Sequence, residues 1–312
     1  MFMPENSEKN TDSVPRIPPM PESLACGVIP EWNLTELVHR GCPVCNEDCP
    51  IPVCLRPDRL AIHRCAGCGM IYLADIPGKN DLDMLYRVYG EYKGYISSSR
   101  RTTVYSFLKK LRLCRENFFI RILDDFDGIS EMRLCEIGAS YGDFLQLARF
   151  RGATVSAVEL DDAAVSHLQE TLKIPAYHIA GELPDMQDII CARSVFEHIP
   201  SPGTVLREIS EKLAGDGRLL LSVPNGANLD TIGPAWAGFR VDMEHLNYWT
   251  PRTFAQLLAR YGFYVEQYWE LNQLATARNR SVPTFFSRIL KKGTWMPGRD
   301  GRATLAVLAR PV

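Results

Sequence analysis

The stretch Leu134-Cys-Glu136-Ile-Gly138-Ala-Ser-Tyr-Gly142-Asp-Phe-Leu145 joins an apolar strand, a glycine turn and the start of an amphipathic helix. Backbone N–H groups at such a turn favour a nucleotide-like ligand. A dinucleotide fingerprint, G-x-G-x-x-G, would need glycine at Glu136 and Tyr141. The pattern here is E-x-G-x-x-x-G instead. A carboxylate at this point suits a ligand that has a cationic amino or sulfonium group and no pyrophosphate.

The composition of the 312-residue chain limits what the protein can be. Hydrophobic residues make up 46% and charged residues 23%, as in globular proteins with one large domain or one large and one small. A net charge of −2 and a pI near 6.3 provide no electrostatic footprint for nucleic acid or an anionic membrane. No apolar run has the length of a membrane span, and the first ten residues lack the apolar core of a secretory signal. We expect a cytoplasmic protein with no nucleic-acid or membrane partner.

Six of the ten cysteines lie between Cys42 and Cys68. They include two C-x-x-C pairs separated by 19 residues, the spacing of a zinc ribbon in which each knuckle offers two thiolates. A site with four thiolates has no open coordination position, so its role is structural. We predict that a zinc ion is held by Cys42, Cys45, Cys65 and Cys68.

The cysteine-rich region leaves two alternatives open. The four thiols could be reduced and buried in a small loop-rich subdomain without metal. Alternatively, Cys49 or Cys54 could replace one of the predicted ligands. His63, on a short predicted strand, is expected to be a solvated residue and not a ligand.

The chain divides into four predicted segments. Residues 1–38 are expected to be disordered or extended, because they are rich in Pro, Ser, Asn and Glu. Residues 39–78 form the zinc ribbon, residues 79–130 a helical lid or linker, and residues 131–312 an α/β domain. In the third segment, Tyr92, Tyr95 and the following serines are expected to overhang the ligand; the alternative is a helical layer that only covers the sheet.

From residue 131 onward, predicted strands and helices alternate, which indicates a doubly wound α/β sheet. The second strand ends at Glu159, where a carboxylate can accept the hydroxyls of a ribose. Later strands are predicted at 188–192, 219–223, 263–271 and 303–309.

Four motifs, taken in order, resemble those of the class I S-adenosylmethionine (SAM) dependent methyltransferases. They are Glu136–Gly142, Glu159, Phe196-Glu-His-Ile-Pro-Ser-Pro202 and Glu244-His-Leu-Asn-Tyr-Trp-Thr-Pro251. The resemblance covers about residues 131–312. It implies a methyltransferase domain with a Rossmann-like, seven-stranded sheet and SAM as the cofactor.

The same resemblance implies a set of cofactor-binding residues. Glu136 and Gly138 would lie at the methionine part of SAM, Glu159 at the ribose, and Leu160 and Glu182 at the adenine. An alternative for Glu136 is a cap on the helix that begins near Asp143. The full candidate set is Glu136, Gly138, Ala139, Ser140, Gly142, Glu159, Leu160, Glu182 and Arg193.

The ribbon together with Tyr92-x-x-Tyr95-x-Ser-Ser looks like the branch that methylates nucleotide-linked deoxysugars and related glycans. That branch has a Tyr-x-Glu-His motif near the active site. Glu244 and His245 match it, but Asp242 stands at the tyrosine position. The resemblance implies a small-molecule acceptor, a sugar or nucleotide-linked sugar. The departure weakens the case for carbon methylation, so that oxygen methylation, or another acceptor, fits the sequence at least as well.

His198 and His245 are the candidate general bases, because an unperturbed imidazole titrates near neutral pH. His198 follows the strand at 188–192, on the rim where ligands bind in such sheets. His245 lies in the loop before Thr250, and Glu244 is its candidate orienting partner. We favour His245 as the base. The alternatives are a His198 that only hydrogen-bonds loop backbone and a His245 that is only packed in its loop.

Other classes of function remain as rivals. They are a methyltransferase acting on another natural product, a nucleic-acid-directed zinc-ribbon protein, a degenerate fold that serves as a binding partner, and a NAD-dependent oxidoreductase. The acidic charge balance opposes the nucleic-acid class. The intact E-x-G-x-x-x-G pattern and Glu159 oppose degeneracy, and the missing glycines oppose NAD.

Overall fold

A computed structural model describes residues 29–87, 105–126, 128–184, 186–233, 236–239, 242–272 and 303–312. Residues 1–28 of the predicted N-terminal segment lie outside these ranges. Tyr92, Tyr95 and the serines of the predicted lid lie outside them as well.

The N-terminal part of the described chain is a small antiparallel β-structure. Its strands are β1 (Val38–His39), β2 (Pro50–Leu55), β3 (Ala61–Cys65), β4 (Ile71–Leu73) and β5 (Asp75–Ile76). Strand β3 contains His63, which the sequence places on a short strand, and β4 follows the second cysteine pair.

The rest of the described chain contributes eight strands. They are β6 (Arg133–Ile137), β7 (Thr154–Val158), β8 (Ala176–Tyr177), β9 (Gln187–Arg193), β10 (Leu213–Pro224), β11 (Asn247–Tyr248), β12 (Phe263–Asn272) and β13 (Ala303–Pro311). Strand β11 leaves the large domain and pairs with β4, so that the small sheet has the order β11-β4-β3-β2.

The other seven strands form one sheet in the order β12-β13-β10-β9-β6-β7-β8. All neighbours are parallel except that β13 runs antiparallel to β10 and β12. The predicted seven-stranded, doubly wound sheet is thereby confirmed. The chain moves outward from β6 through β7 and β8, then returns to β9 on the other side of β6. Ligands bind at such a reversal, beyond the carboxyl ends of the strands.

Eight α-helices accompany the strands in the described ranges. They are α1 (Lys79–Arg87), α2 (Phe107–Glu116), α3 (Phe118–Phe126), α4 (Asp143–Phe150), α5 (Asp162–Ser166), α6 (Pro202–Lys212), α7 (Asn228–Ile232) and α8 (Pro251–Arg260). The pair Thr250-Pro251 in the sequence predicts an N-cap followed by the first helical residue. Helix α8 begins there, because the Thr250 side chain accepts from Thr253 N and proline stands at the first turn. Across the described ranges, no helix has the length and apolarity that a membrane span requires.

Apolar side chains cover both faces of the large sheet. Successive residues of β10 alternate: Leu219 and Leu221 pack with α6, α8 and the cysteine-bearing strands, whereas Leu220 packs with α3 and α4. Burial on both faces explains why the strands are almost continuously apolar. The small β-structure is therefore part of one layer of the fold.

One predicted boundary is wrong. In the sequence, the spacing of Leu206, Ile209 and Leu213 predicts a helix after Pro202 that Gly215 and Gly217 close. In the structure α6 ends at Lys212, and Leu213 already pairs with Gln187 of β9. The register then shifts before Arg218 pairs with Ile189, so the glycines lie in an irregular part of β10.

Candidate active site

The glycine turn after β6 has a shape that only glycine allows at two positions. Gly138 has φ +69°, and a Cβ added there would lie 2.4 Å from Val195 Cγ2. Gly142 has φ +74°, and its added Cβ would lie 2.7 Å from Leu168 Cδ2. Both the backbone conformation and the close approach exclude a side chain. Gly138 thus lets the turn pack against the loop after β9, and Gly142 lets it pack against Leu168, in the helical segment that follows β7.

Glu136, at the end of β6, is bound by an arginine from the neighbouring strand. Arg193 Nε donates to Glu136 Oε1 at 2.8 Å, and the Arg193 Nη2 to Glu136 Oε1 distance is 2.7 Å. The guanidinium also lies 4.4 Å from the centroid of the Phe144 ring. The helix-capping alternative for Glu136 is wrong, because the N-cap of α4 is Gly142 and has no side-chain cap.

The environment of Glu136 brings the pKa of its carboxyl close to neutral pH, so that a bound ligand can change its ionisation state. Burial raises the pKa of the carboxyl to about 7, although Arg193 opposes that shift. The Oε2 atom is buried and has no hydrogen-bond partner within the described ranges. It can therefore accept a bond from a cationic group of a ligand, which would favour the ionised form.

Glu159 connects the second strand to the glycine turn. One carboxylate oxygen accepts from Ser140 N at 2.6 Å; the other accepts from Leu160 N at 2.7 Å and Asp161 N at 2.9 Å. A carboxylate has about four lone-pair positions, so roughly one is left for a ligand hydroxyl. Binding both ribose hydroxyls, as the sequence suggested, would require release of a backbone N–H. Ser140 itself has φ +48°, and Ala139 beside it is buried.

The remaining adenine candidates lie near Glu159. Leu160 is a large apolar residue that is 50% exposed. Such a side chain could cover the face of a flat ligand. Glu182 accepts from His178 N at 3.1 Å, and the His178 ring nitrogen Nδ1 lies 3.1 Å from Glu159 O. The structure thus places Glu182 close to Glu159 through one intervening histidine.

The two candidate bases lie in one cluster. The rings of His198 and His245 are edge-to-face, with centroids 4.6 Å apart. The ligating atoms of Glu197, His198 and His245 lie within 4.8 Å of one another, and so do those of Asp242, Glu244 and His245. From the sequence, His198 and His245 are alternative candidates for the general base. In the structure both lie together with three carboxylates.

Glu197 belongs to this cluster but was missed as a site residue. Its side chain is 1% exposed, and neither carboxylate oxygen has a hydrogen-bond partner in the part of the chain that the structure describes. Burial raises the pKa of this carboxyl well above its ordinary value, and the charges of Asp242 and Glu244 add to the shift. The sequence contained one signal for it: a Glu-His dipeptide four residues after the end of a buried strand.

Arg56, on the cysteine-bearing part of the chain, supports the His245 loop. Its buried guanidinium donates to His245 O and Tyr248 Oη, both at 2.7 Å, and to Met243 O at 2.5 Å. It also forms an ion pair with Asp58, whose side chain is fully buried. The position of the His245 loop therefore depends on a residue nearly two hundred positions earlier.

Arg40 connects the two histidine-bearing loops. It donates to Pro200 O at 2.6 Å in the loop after His198, and to Leu246 O at 2.9 Å beside His245. Leu246 N in turn donates to Glu197 O at 2.7 Å. No motif in the sequence marked Arg40 or Arg56, because the bonds by which they hold the histidine-bearing loops go to backbone oxygens far along the chain.

The predicted zinc ligands lie together. The four Sγ atoms of Cys42, Cys45, Cys65 and Cys68 are within 4.8 Å of one another, with the Cys42–Cys68 and Cys45–Cys65 pairs at 3.5 Å. A tetrahedral zinc with Zn–S bonds of about 2.3 Å would place thiolates roughly 3.8 Å apart. The donor set and its dimensions therefore suit zinc.

The other residues of the cysteine region differ in their relation to this group. Cys49 Sγ lies 3.6 Å from Cys65 Sγ, so it remains an alternative ligand. Cys54 instead packs with Leu60 and Ile62 in an apolar cluster. The expectation of a solvated His63 is wrong: its side chain is 8% exposed, and burial lowers its pKa.

Comparison with known proteins identifies distant relatives. The ubiquinone biosynthesis O-methyltransferases of Pseudomonas savastanoi pv. phaseolicola and Pseudomonas aeruginosa are each 26% identical over 113 residues, which is 33% of this chain and 49% of theirs. The chain thus spans about half the length of these curated relatives.

Two solved structures illustrate the structural likeness. The magnesium protoporphyrin IX methyltransferase of Synechocystis has a TM-score of 0.47 and 15% identity, over 73% of this chain and 99% of that one. The 1,6-didemethyltoxoflavin N1-methyltransferase of Burkholderia thailandensis has a TM-score of 0.47 and 15% identity, over 79% and 97%. Likenesses this distant carry no conclusion about the present chain.

A family profile provides the stronger finding. The profile described as a methyltransferase domain matches residues 111–268, half of the chain. At the level of the family, the match confirms the prediction of a SAM-dependent methyltransferase enzyme. The chain belongs to the methyltransferase-domain family.

Proposed function

We propose that this protein transfers a methyl group from SAM to a small-molecule acceptor, a sugar or nucleotide-linked sugar. One observation carries the proposal. The glycine turn with Glu136 follows β6, and the cluster of His198 and His245 lies beyond the neighbouring strand β9, at the point where the strand order reverses. A cofactor site and a group of acids and bases are thereby adjacent.

The cofactor side of the site has groups that suit each part of SAM. Glu136 Oε2 would accept from the cationic amino group, with Arg193 holding the carboxylate in place. The turn of Gly138, Ala139, Ser140 and Gly142 would lie along the ligand. Glu159 would bind a ribose hydroxyl, and Leu160 and Glu182 would border the adenine. SAM supplies a methyl group already activated by its sulfonium.

The acceptor side needs a group that takes up the hydroxyl proton and a geometry that aligns the oxygen with the methyl carbon. We propose that His245 takes the proton, that Glu244 orients its ring, and that His198 lies on the acceptor's path. The named relatives are O-methyltransferases, which supports oxygen as the acceptor atom. The sugar class rests on the resemblance of the cysteine region and of the Glu244-His245 pair.

A cytoplasmic location and the lack of a nucleic-acid partner remain predictions.

The function can be tested with methyl-labelled SAM and a panel of nucleotide-linked sugars. We expect calorimetry to show SAM binding and mass spectrometry to show one methyl gained by at least one sugar. NMR of that product decides between oxygen and carbon. SAM binding without any labelled sugar would exclude the sugar class, and a protein that does not bind SAM would contradict the whole proposal.

His245→Gln is expected to lower kcat by about 100-fold or more, the range for loss of a general base, with SAM affinity unchanged. His39→Gln is the matched control, because His39 is half exposed on β1 and bonded to Asp48 and Asp75. Equal turnover of the His245→Gln variant and the wild type would remove His245 from the mechanism.

We also propose that residues 39–78 form a zinc ribbon. Elemental analysis should find one zinc per chain, and Cys65→Ser should lose it. Cys114→Ser is the control, since Cys114 is a buried thiol on α2, away from the group. Loss of zinc should also lower the unfolding temperature, because metal binding contributes to folding. A wild-type protein purified with thiols reduced and without zinc would contradict this proposal.

A further inference from the structure

We propose that Glu197, His198 and His245 form a binding site for a divalent cation that holds the acceptor. The inference deepens the proposed function and rests on it, because the site lies beside the predicted cofactor pocket. It differs from the predicted zinc site in its residues, its place in the fold and its donor atoms.

The geometry of the three side chains suits a shared ion. Their ligating atoms lie within 4.8 Å of one another, close to the separation of about 4 Å or less that metal–ligand bonds of roughly 2.1 Å allow. The two imidazole rings are edge-to-face at 4.6 Å, so their nitrogens can face one point. The three side chains are therefore already adjacent without an ion.

The charge balance provides a second, independent argument. Glu197 is 1% exposed, and both of its oxygens lack a hydrogen-bond partner within the described ranges. A buried carboxylate in this condition carries a large desolvation cost unless it is protonated or binds a cation. Asp242 and Glu244 add negative charge next to it. A divalent ion would compensate these charges and use the free oxygens of Glu197.

The donor set indicates which ions suit the site. Two imidazoles and one carboxylate bind Mn²⁺, Fe²⁺, Co²⁺ or Zn²⁺ and leave coordination positions open. Those positions would take the oxygens of an acceptor with adjacent hydroxyl or carbonyl groups. A hydroxyl bound to the ion has a lowered pKa, so it loses its proton to solvent more easily. Its oxygen then bonds to the methyl carbon while the carbon–sulfur bond electrons remain on sulfur.

The cation would change the role assigned to His245. Its imidazole would be a ligand, and the lowered pKa of the bound hydroxyl would replace transfer of the proton to the ring. Both roles predict that His245→Gln impairs turnover, so turnover of that variant does not separate them. Direct measurement of ion binding does.

The experiment titrates Mn²⁺ into the full-length protein, without first removing any zinc bound to the cysteine group. Free Mn²⁺ is followed by electron paramagnetic resonance. Mn²⁺ is the probe because thiolates bind it weakly. We expect one saturable Mn²⁺ per chain. Glu197→Gln and His245→Gln should each weaken the affinity of the protein for Mn²⁺ by at least about 10-fold, because changes around a metal site usually cost this much. Glu211→Gln, an exposed carboxylate on α6, should leave the affinity unchanged.

Thermal unfolding without Mn²⁺ provides the control for folding. Glu197→Gln removes a buried carboxylate that lacks a partner in the described structure, so the variant should unfold at the same temperature as the wild type or higher. The proposal is overturned if no Mn²⁺ binds, or if Glu197→Gln and His245→Gln bind it as tightly as the wild type.

Calorimetry with SAM in the same samples separates the two proposals. Mn²⁺ binding without SAM binding would refute the proposed function and leave the ion site standing. SAM binding and full methyl transfer in a protein that binds no Mn²⁺ would refute the ion site and leave His245 as the base.

Discussion

Arg56→Ala is expected to destabilise the protein by about 3–5 kcal/mol, the usual cost of breaking a buried ion pair. Arg56 and Asp58 are both fully buried, so the variant leaves Asp58 charged or forces it to bind a proton. It also removes the hydrogen bonds to His245 O and Met243 O. Methyl transfer should fall further than SAM affinity, because these bonds support the histidine side of the site.

Urea unfolding measures the change in the free energy of unfolding. Two further variants show whether the change comes from the buried ion pair. Arg64→Ala breaks a solvent-accessible ion pair between β3 and Asp230 on α7, and should cost less than about 1 kcal/mol. The double variant Arg56→Met, Asp58→Leu should recover much of the stability, since no lone charge remains. Equal effects of Arg56→Ala and Arg64→Ala would show that the buried network does not stabilise the loop.

Gly138→Ala is expected to weaken SAM binding by at least about 100-fold, which corresponds to roughly 2.7 kcal/mol. The added methyl would lie 2.4 Å from Val195 Cγ2, so the turn or the loop after β9 must move. Backbone strain at φ +69° adds a stability cost of about 1–2 kcal/mol. Calorimetric titration with SAM measures the first effect and thermal unfolding the second.

Gly128→Ala is the matched control for Gly138→Ala. Gly128 has nearly the same φ, +74°, but no atom lies within 4 Å of an added Cβ. It should therefore show the strain without the clash, and SAM affinity should be unchanged. If both variants bound SAM like the wild type, the turn at Gly138 would not form the cofactor site.

Several parts of the structure could be predicted from the sequence because their causes are local. The apolar run ending at Glu136 and the glycines after it determine a strand, a turn and a helix within a dozen residues. Thr250 and Pro251 determine where α8 begins, through bonds made inside its first turn. The two cysteines within each C-x-x-C pair are close because each knuckle is short, and the antiparallel pairing of β2 with β3 brings the second pair to the first. The alternation of strands and helices was enough for the doubly wound sheet.

Boundaries were less predictable where pairing partners decide them. Leu213 has a helical pattern in the sequence, but in the structure it belongs to β10 because Gln187 is available beside it. His63 lies on a predicted strand, yet its burial depends on what covers that strand. Local propensity does not contain this information.

The chemical environment of the site was decided by tertiary structure alone. Arg193 pairs with Glu136 across adjacent strands, Arg56 holds the His245 loop, and Glu197 is buried beside two histidines. The sequence determined which residue types stand at each strand end. Only the sheet order, and the packing of the small β-structure against it, determined which of them meet. Contacts between positions nearly two hundred residues apart leave no periodic or local pattern, because the chain between them can close the distance in many ways.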